Sequence, residues 1–169
     1  MPDESEEWEI PLASQPNSDE FSFDLNAAYS TIYALRSEVP EDAFTAQVLG
    51  TERMGNGVLI STDGLVLMAG YLIAEAETAW LLSNDGDAIP AHVVAYDHNT
   101  GFGLVQALAK ITTPPMPLGD SSEAETGDPV ILAGHGGPNH ALSAWIAAKR
   151  EFAGYWEYLL DAAIFTTPP

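Results

Sequence analysis

Apolar positions in this chain fall into short, closely set runs whose period changes at Pro40. Before it, Leu25, Ala28, Ile32 and Leu35 follow an approximate i, i+3, i+4, i+7 spacing, which predicts one apolar face of a helix over residues 24–39. Asp24 or Asn26 stands where an N-cap is needed. Pro40 ends the helix, since it has no N–H and disfavours the α conformation of the residue before it. Beyond Pro40 the runs predict strands at 43–51, 57–61, 65–72, 78–82, 88–96 and 102–107. Thr62-Asp63-Gly64 and Asn84-Asp85-Gly86 supply turns with a glycine free to take positive φ. Six short strands with close turns predict a small antiparallel barrel over residues 40–110. A connector rich in Pro, Ser and acids follows over 111–128. Strands resume at 129–133 and 141–149, and a last run covers 155–165, so residues 129–169 read as part of a second barrel. The expected class is all-β with a short N-terminal helix.

The charge balance narrows the range of partners. Twenty-five acids face five bases (Arg36, Arg53, Lys110, Lys149 and Arg150), for a net charge of −20. Phosphate backbones require clustered Lys and Arg, so a nucleic acid partner is excluded, and an anionic membrane surface is disfavoured for the same reason. Residues 1–23 carry seven acids and no base, a composition that predicts a mobile tail; Trp8, Ile10, Phe21 and Phe23 are its docking candidates. The absence of cysteine removes disulfides, thiolate metal sites and a Cys nucleophile. The N-terminus has neither the basic nor the apolar region of a secretory signal, and with Met1 as the natural start the expected compartment is the cytoplasm.

Several stretches, in order, resemble trypsin-like serine proteases of the HtrA (DegP-like) type. Gly55-Asn56-Gly57-Val58 is similar to the G-S-G-V that opens that family's second strand. Asp63-Gly64-Leu65-Val66-Leu67 is similar to D-G-Y-I-L, which leads into the catalytic His. Ala91-His92-Val93-Val94-Ala95-Tyr96-Asp97 resembles A-K-V-V-G-x-D, which precedes the catalytic Asp. Pro117-Leu118-Gly119-Asp120-Ser121 and Gly127-Asp128-Pro129-Val130 resemble the P-L-G-D-S connector and the G-D-W-V that opens the second barrel. Asp161-Ala162-Ala163-Ile164 resembles the D-A-A-I that shortly precedes G-N-S-G-G-P. The resemblance covers about residues 50–165 and implies a trypsin-like double antiparallel β-barrel, its second barrel incomplete here. It also implies a polypeptide ligand in the inter-barrel cleft and a homo-oligomer formed through the N-terminal segment.

The triad positions depart from the family pattern. A serine protease needs a hydroxyl nucleophile, an imidazole to take its proton and a carboxylate to orient the imidazole. The family's T-N-x-H-V-V falls on Met68 to Ile73 and puts Tyr71 at the His position; a phenol titrating near 10 is a poor general base at neutral pH. The family's D-x-x-T-D-L-A-V falls on Asp97 to Leu104 and puts Gly101 at the Asp position, with no side chain to orient anything. The Ser position falls on Pro169, so the chain is expected to continue past it. His98, beside Asp97, is the candidate for a displaced base; the competing reading is a surface-turn histidine. The remaining histidines, His92, His135 and His140, read as strand and loop residues.

No cofactor or metal is expected. His135 and His140 flank a glycine loop without a nearby third ligand, Asp85 and Asp87 lack the full spacing of a calcium loop, and no helix stands behind Gly134-His135-Gly136-Gly137 to make a phosphate cradle. Trp145, Tyr155, Trp156 and Tyr158 read as barrel core or as an exposed ledge. The leading functional expectation is a pseudoprotease that binds polypeptide or acts as a scaffold. The alternatives are an active endopeptidase with relocated catalytic groups and an acidic structural domain.

Overall fold

The computed structural model describes residues 9–154 and 158–168. Trp8, Tyr155, Trp156 and Pro169 therefore lie outside the described residues. Among the described residues, nine strands form two units. Strands β1 (Ile32–Glu38), β2 (Glu52–Leu59), β3 (Leu65–Ala69), β4 (Thr78–Leu82), β5 (Ala88–Asp97) and β6 (Phe102–Ala107) close into a barrel in the order β1-β2-β3-β6-β5-β4. Strands β7 (Pro129–Ala133), β8 (Ala141–Ala153) and β9 (Leu159–Thr167) form a separate antiparallel sheet in chain order.

The helix expected over 24–39 is only its first part. Helix α1 runs Leu25–Ser30, capped by Asp24, whose carboxylate accepts from the amides of Asn26 and Ala27 at 2.9 and 3.2 Å. From Ile32 the chain is β1, the strand that closes the barrel by pairing with both β2 and β4. Tyr33, Leu35 and Ser37 point inward and are almost fully buried, while Arg36 and Glu38 point out. The helical spacing of Ile32 and Leu35 lost to the period of two in Tyr33, Leu35 and Ser37 because pairing with β2 and β4 settled which pattern counted. Residues 43–51, expected as a strand, instead hold helix α2 (Ala46–Leu49), a single turn ended by Gly50 at φ 78°. The barrel thus has the six strands expected, but its first member lies before Pro40.

The core sits inside the barrel. Leu35, Leu59, Val66, Leu81 and Val105 are fully buried there, each contributing about 1.5–3 kcal/mol by leaving water. A smaller cluster of Leu25, Tyr29 and Ala141, with Phe21, Ile131 and Ala133 against it, joins α1 to the second sheet. Residues 9–23 carry two short 3-10 turns. They are tied down where the Ile10 amide donates to the Asn139 carbonyl at 2.7 Å and Asn139 Nδ2 donates to Glu9 at 2.8 Å; Ile10 itself is buried. The connector is held against β8 by Lys149, whose ammonium donates to the carbonyls of Ser121 and Ala124 at 2.7 and 2.8 Å.

Candidate functional site

The segments that carry Tyr71 and Gly101 meet at one end of the barrel. β3 ends at Ala69 and passes straight into a 3-10 turn, Gly70–Leu72, which contains Tyr71. β5 and β6 are joined by the turn that contains Gly101. Ala69 pairs with Phe102, and the Gly70 amide donates to the Gly101 carbonyl at 2.7 Å, so the two positions are fixed relative to each other by backbone. Gly70 is required here: a Cβ would run into the Tyr96 ring and lie 3.0 Å from the Phe102 carbonyl.

The turn at Gly101 is self-supporting. The Asp97 carboxylate accepts from the Thr100 hydroxyl at 2.7 Å and from the Asn99 amide at 3.0 Å. The Thr100 hydroxyl, and after it the Asn99 amide, hold this carboxyl below its ordinary range. Asp97 is therefore engaged in shaping its own turn. His98 lies exposed on the same turn with its ring 4.2 Å from that of Tyr96, centroid to centroid. Gly101 takes φ 74°, the left-handed conformation that favours glycine.

Tyr71 is 42% exposed and projects from a rigid base. The base is built by Arg53, a residue that pattern reading passed over. Arg53 is buried in β2, and its guanidinium donates to the carbonyls of Tyr71 (2.7 Å), Ala74 (2.9 Å) and Gly50 (3.3 Å) and to the Thr45 hydroxyl (2.7 Å). Burial pushes the guanidinium below its usual range, and the charge of Glu75 opposes that push. Glu75 accepts in turn from the Thr45 hydroxyl at 2.6 Å and from the amides of Thr45 and Phe44 at 2.7 and 3.1 Å. Those bonds, the Thr45 hydroxyl foremost, lower its carboxyl from 4.5. Glu75 sits at φ 60°, unusual for a side chain of its size, and the bonds to Phe44 and Thr45, just ahead of α2, hold it there. Ser37, fully buried in β1, completes the support by donating to the Leu72 carbonyl. One of only five bases in an acidic chain was the available signal; its spacing from Tyr71 carried none.

The other sequence candidates are spread out. His92 is exposed on β5. His135 is a joint between the two units: its amide donates to Asn56 Oδ1 at 3.0 Å, and its Nε2 lies 3.1 Å from the Ser83 carbonyl. Beside it the Gly136 amide donates to Asn84 Oδ1 at 2.8 Å. His140 packs against Gly136. Among the described residues, no three His, Cys, Asp or Glu side chains converge as metal ligands, and no helix is long and apolar enough to cross a membrane. Trp145, expected in the core or on a ledge, is 51% exposed on β8.

Comparison with known proteins agrees with this architecture. Residues 55–168 match the family described as trypsin-like peptidase domain. A probable periplasmic serine endoprotease DegP-like from Pseudomonas putida is 28% identical over 100 residues, covering 59% of this chain and 21% of that relative. The chain thus spans about a fifth of the length of such curated relatives. Among solved structures, an HtrA-type protease AlgW with decapeptide superposes with a TM-score of 0.63 at 20% identity, covering 83% of this chain and 50% of that one. The active form of the Rv3671c protease from M. tuberculosis gives 0.61 at 21% identity, covering 90% and 64%. These likenesses establish the fold, and the family match covers most of the sequence: the chain belongs to the trypsin-like peptidase domain family, with HtrA and DegP proteins among its relatives.

Proposed function

We propose that this is a pseudoprotease domain that holds polypeptide without cutting it. The observation that carries the reading is the pairing of the Tyr71 and Gly101 segments through the Gly70–Gly101 hydrogen bond. By the resemblance these are the His and Asp positions, and they stand together, yet one offers a phenol and the other no side chain. A phenol is a poor general base toward a hydroxyl at neutral pH. Gly101 leaves nothing to orient a base. His98 does not replace the missing imidazole, because it lies exposed on its turn beside Tyr96.

Retention of the fold supports the binding half of the proposal. Clefts of this architecture take extended chains by strand addition, which requires backbone N–H and C=O groups and no triad. The exposed rings of Tyr71 and Phe102 stand near the junction as apolar contacts for such a chain. The relative named as a protease and the structure solved with a decapeptide are consistent with this, although the binding they describe is theirs. The N-terminal segment is proposed to mediate self-association, which light scattering with and without residues 1–23 tests. The cytoplasmic expectation differs from the periplasmic naming of relatives and is tested by cell fractionation.

Inactivity is tested with a fluorophosphonate probe on the protein in its native length, with chymotrypsin as the positive control. The proposal expects no increase in mass. Covalent labelling at one serine, blocked by prior heat denaturation, would overturn it.

A further inference from the structure

We propose that Gly101 and Gly154 form a socket for the ring of Tyr158, so that the position matching the family's Asp now serves as an interlock between the barrel and the second sheet. A Cβ built on Gly101 would lie 2.8 Å from Tyr158 Cδ1 and 2.9 Å from Cγ. A Cβ built on Gly154 would run into the hydroxyl end of the same ring, at Cζ and both Cε atoms. Two glycines on different strand connections thus leave the space that the Tyr158 ring occupies. Backbone bonds lock the arrangement: the Gly154 amide donates to the Tyr158 carbonyl at 2.9 Å, and the Leu159 amide donates to the Asn99 carbonyl at 3.2 Å. The second of these crosses from β9 to the β5–β6 turn. Phe152 stands 6.3 Å from Tyr158, and Phe165 stands 5.9 Å from Phe152, with the Arg150 guanidinium 4.5 Å over the Phe165 ring. An aromatic row therefore continues the contact along the β8–β9 hairpin.

The consequence is physical. Even if Tyr71 were histidine, an aspartate at 101 would have to take a left-handed backbone and displace Tyr158 together with the hairpin. The socket and a carboxylate at 101 exclude each other. This holds independently of whether the cleft binds polypeptide, because it concerns only how the two units are joined.

The test is a set of variants in the full chain, read by urea unfolding and amide hydrogen exchange. Gly101→Asn separates the two constraints, since asparagine tolerates positive φ but brings a Cβ. With Tyr158 present, Gly101→Asn is expected to lower the folding equilibrium constant at least tenfold. In the Tyr158→Ala background the same change is expected to cost less than threefold. Tyr158→Phe is expected to be neutral, because ring carbons make the contact. Tyr158→Ala alone is expected to increase exchange at Leu159 and the neighbouring β8–β9 amides while leaving barrel amides such as Val105 protected. Additive costs, or unchanged exchange at β8–β9 in Tyr158→Ala, would overturn the proposal. The exchange measurement decides it even if Gly101→Asn does not fold.

Discussion

At the scale of single residues, Arg53 carries more of this structure than any position that resembles a triad member. It satisfies three carbonyls and a hydroxyl at the base of Tyr71. An apolar replacement of similar length leaves these part-buried acceptors without their donor, at about 1–3 kcal/mol for each one that water does not reach. Arg53→Met is therefore expected to lower the unfolding free energy by about 3 kcal/mol or more, seen as a lower urea midpoint at constant slope. Glu75 makes a pH prediction. Its folded carboxyl titrates below its ordinary 4.5, so the stability it contributes is fully present above that value. It is lost as pH falls through the lowered folded value. Glu75→Gln is expected to flatten the decline of thermal stability between about pH 5 and pH 3 relative to the unaltered chain. A decline just as steep would contradict the role given to Glu75. Neither residue was visible in the sequence as part of a site, because the contacts link β2, α2 and the turn after β3, which lie far apart in pattern.

At the scale of elements, the strands from β3 to β6 were legible because Asp63-Gly64, Asn84-Asp85-Gly86 and the turn from Asp97 to Gly101 punctuate them. β1 was not. Ile32 and Leu35 fit a helical face, Tyr33, Leu35 and Ser37 fit a strand face, and only pairing with β2 and β4 decides between them. Residues 43–51 misled in the opposite direction: Phe44 and Val48 look like strand residues, yet both are exposed, at 88% and 67%, around the single turn of α2. Substitutions separate the two elements. Leu35→Ala, in a fully buried strand position, is expected to cost about 2–5 kcal/mol. Val48→Asp, on the exposed turn, is expected to change stability by about 0.5 kcal/mol or less. Denaturant unfolding checks both, and a large effect of Val48→Asp would place α2 wrongly. The glycine loop at 134–137 was recognised as a loop. Its task of joining the two units through Asn56 and Asn84 became visible only when the barrel brought those asparagines to it.

At the scale of the whole molecule, 25 acids and five bases make self-repulsion the dominant long-range term. Raising salt from about 20 mM to 300 mM shortens the screening length from roughly 20 Å to about 6 Å. The melting temperature is expected to rise with it; a fall would mean that short-range pairs such as Arg36 with Glu52 matter more than the net charge. The family resemblance was legible because its motifs keep their order along the chain, some inside strands, as Ala91 to Asp97 in β5, and others in connections, as Pro117 to Ser121. The interlock at Gly101 was not legible, since its partners Gly154 and Tyr158 come from the second sheet. The proposed use of the shared fold is that the domain holds an extended polypeptide and leaves it whole. The most direct measurement is the fluorescence anisotropy of labelled, unfolded casein followed over hours with increasing protein. The account predicts a saturable rise that then stays level. A rise followed by decay below the value of free casein would reveal cleavage, and no rise at all would remove the binding; either result contradicts it.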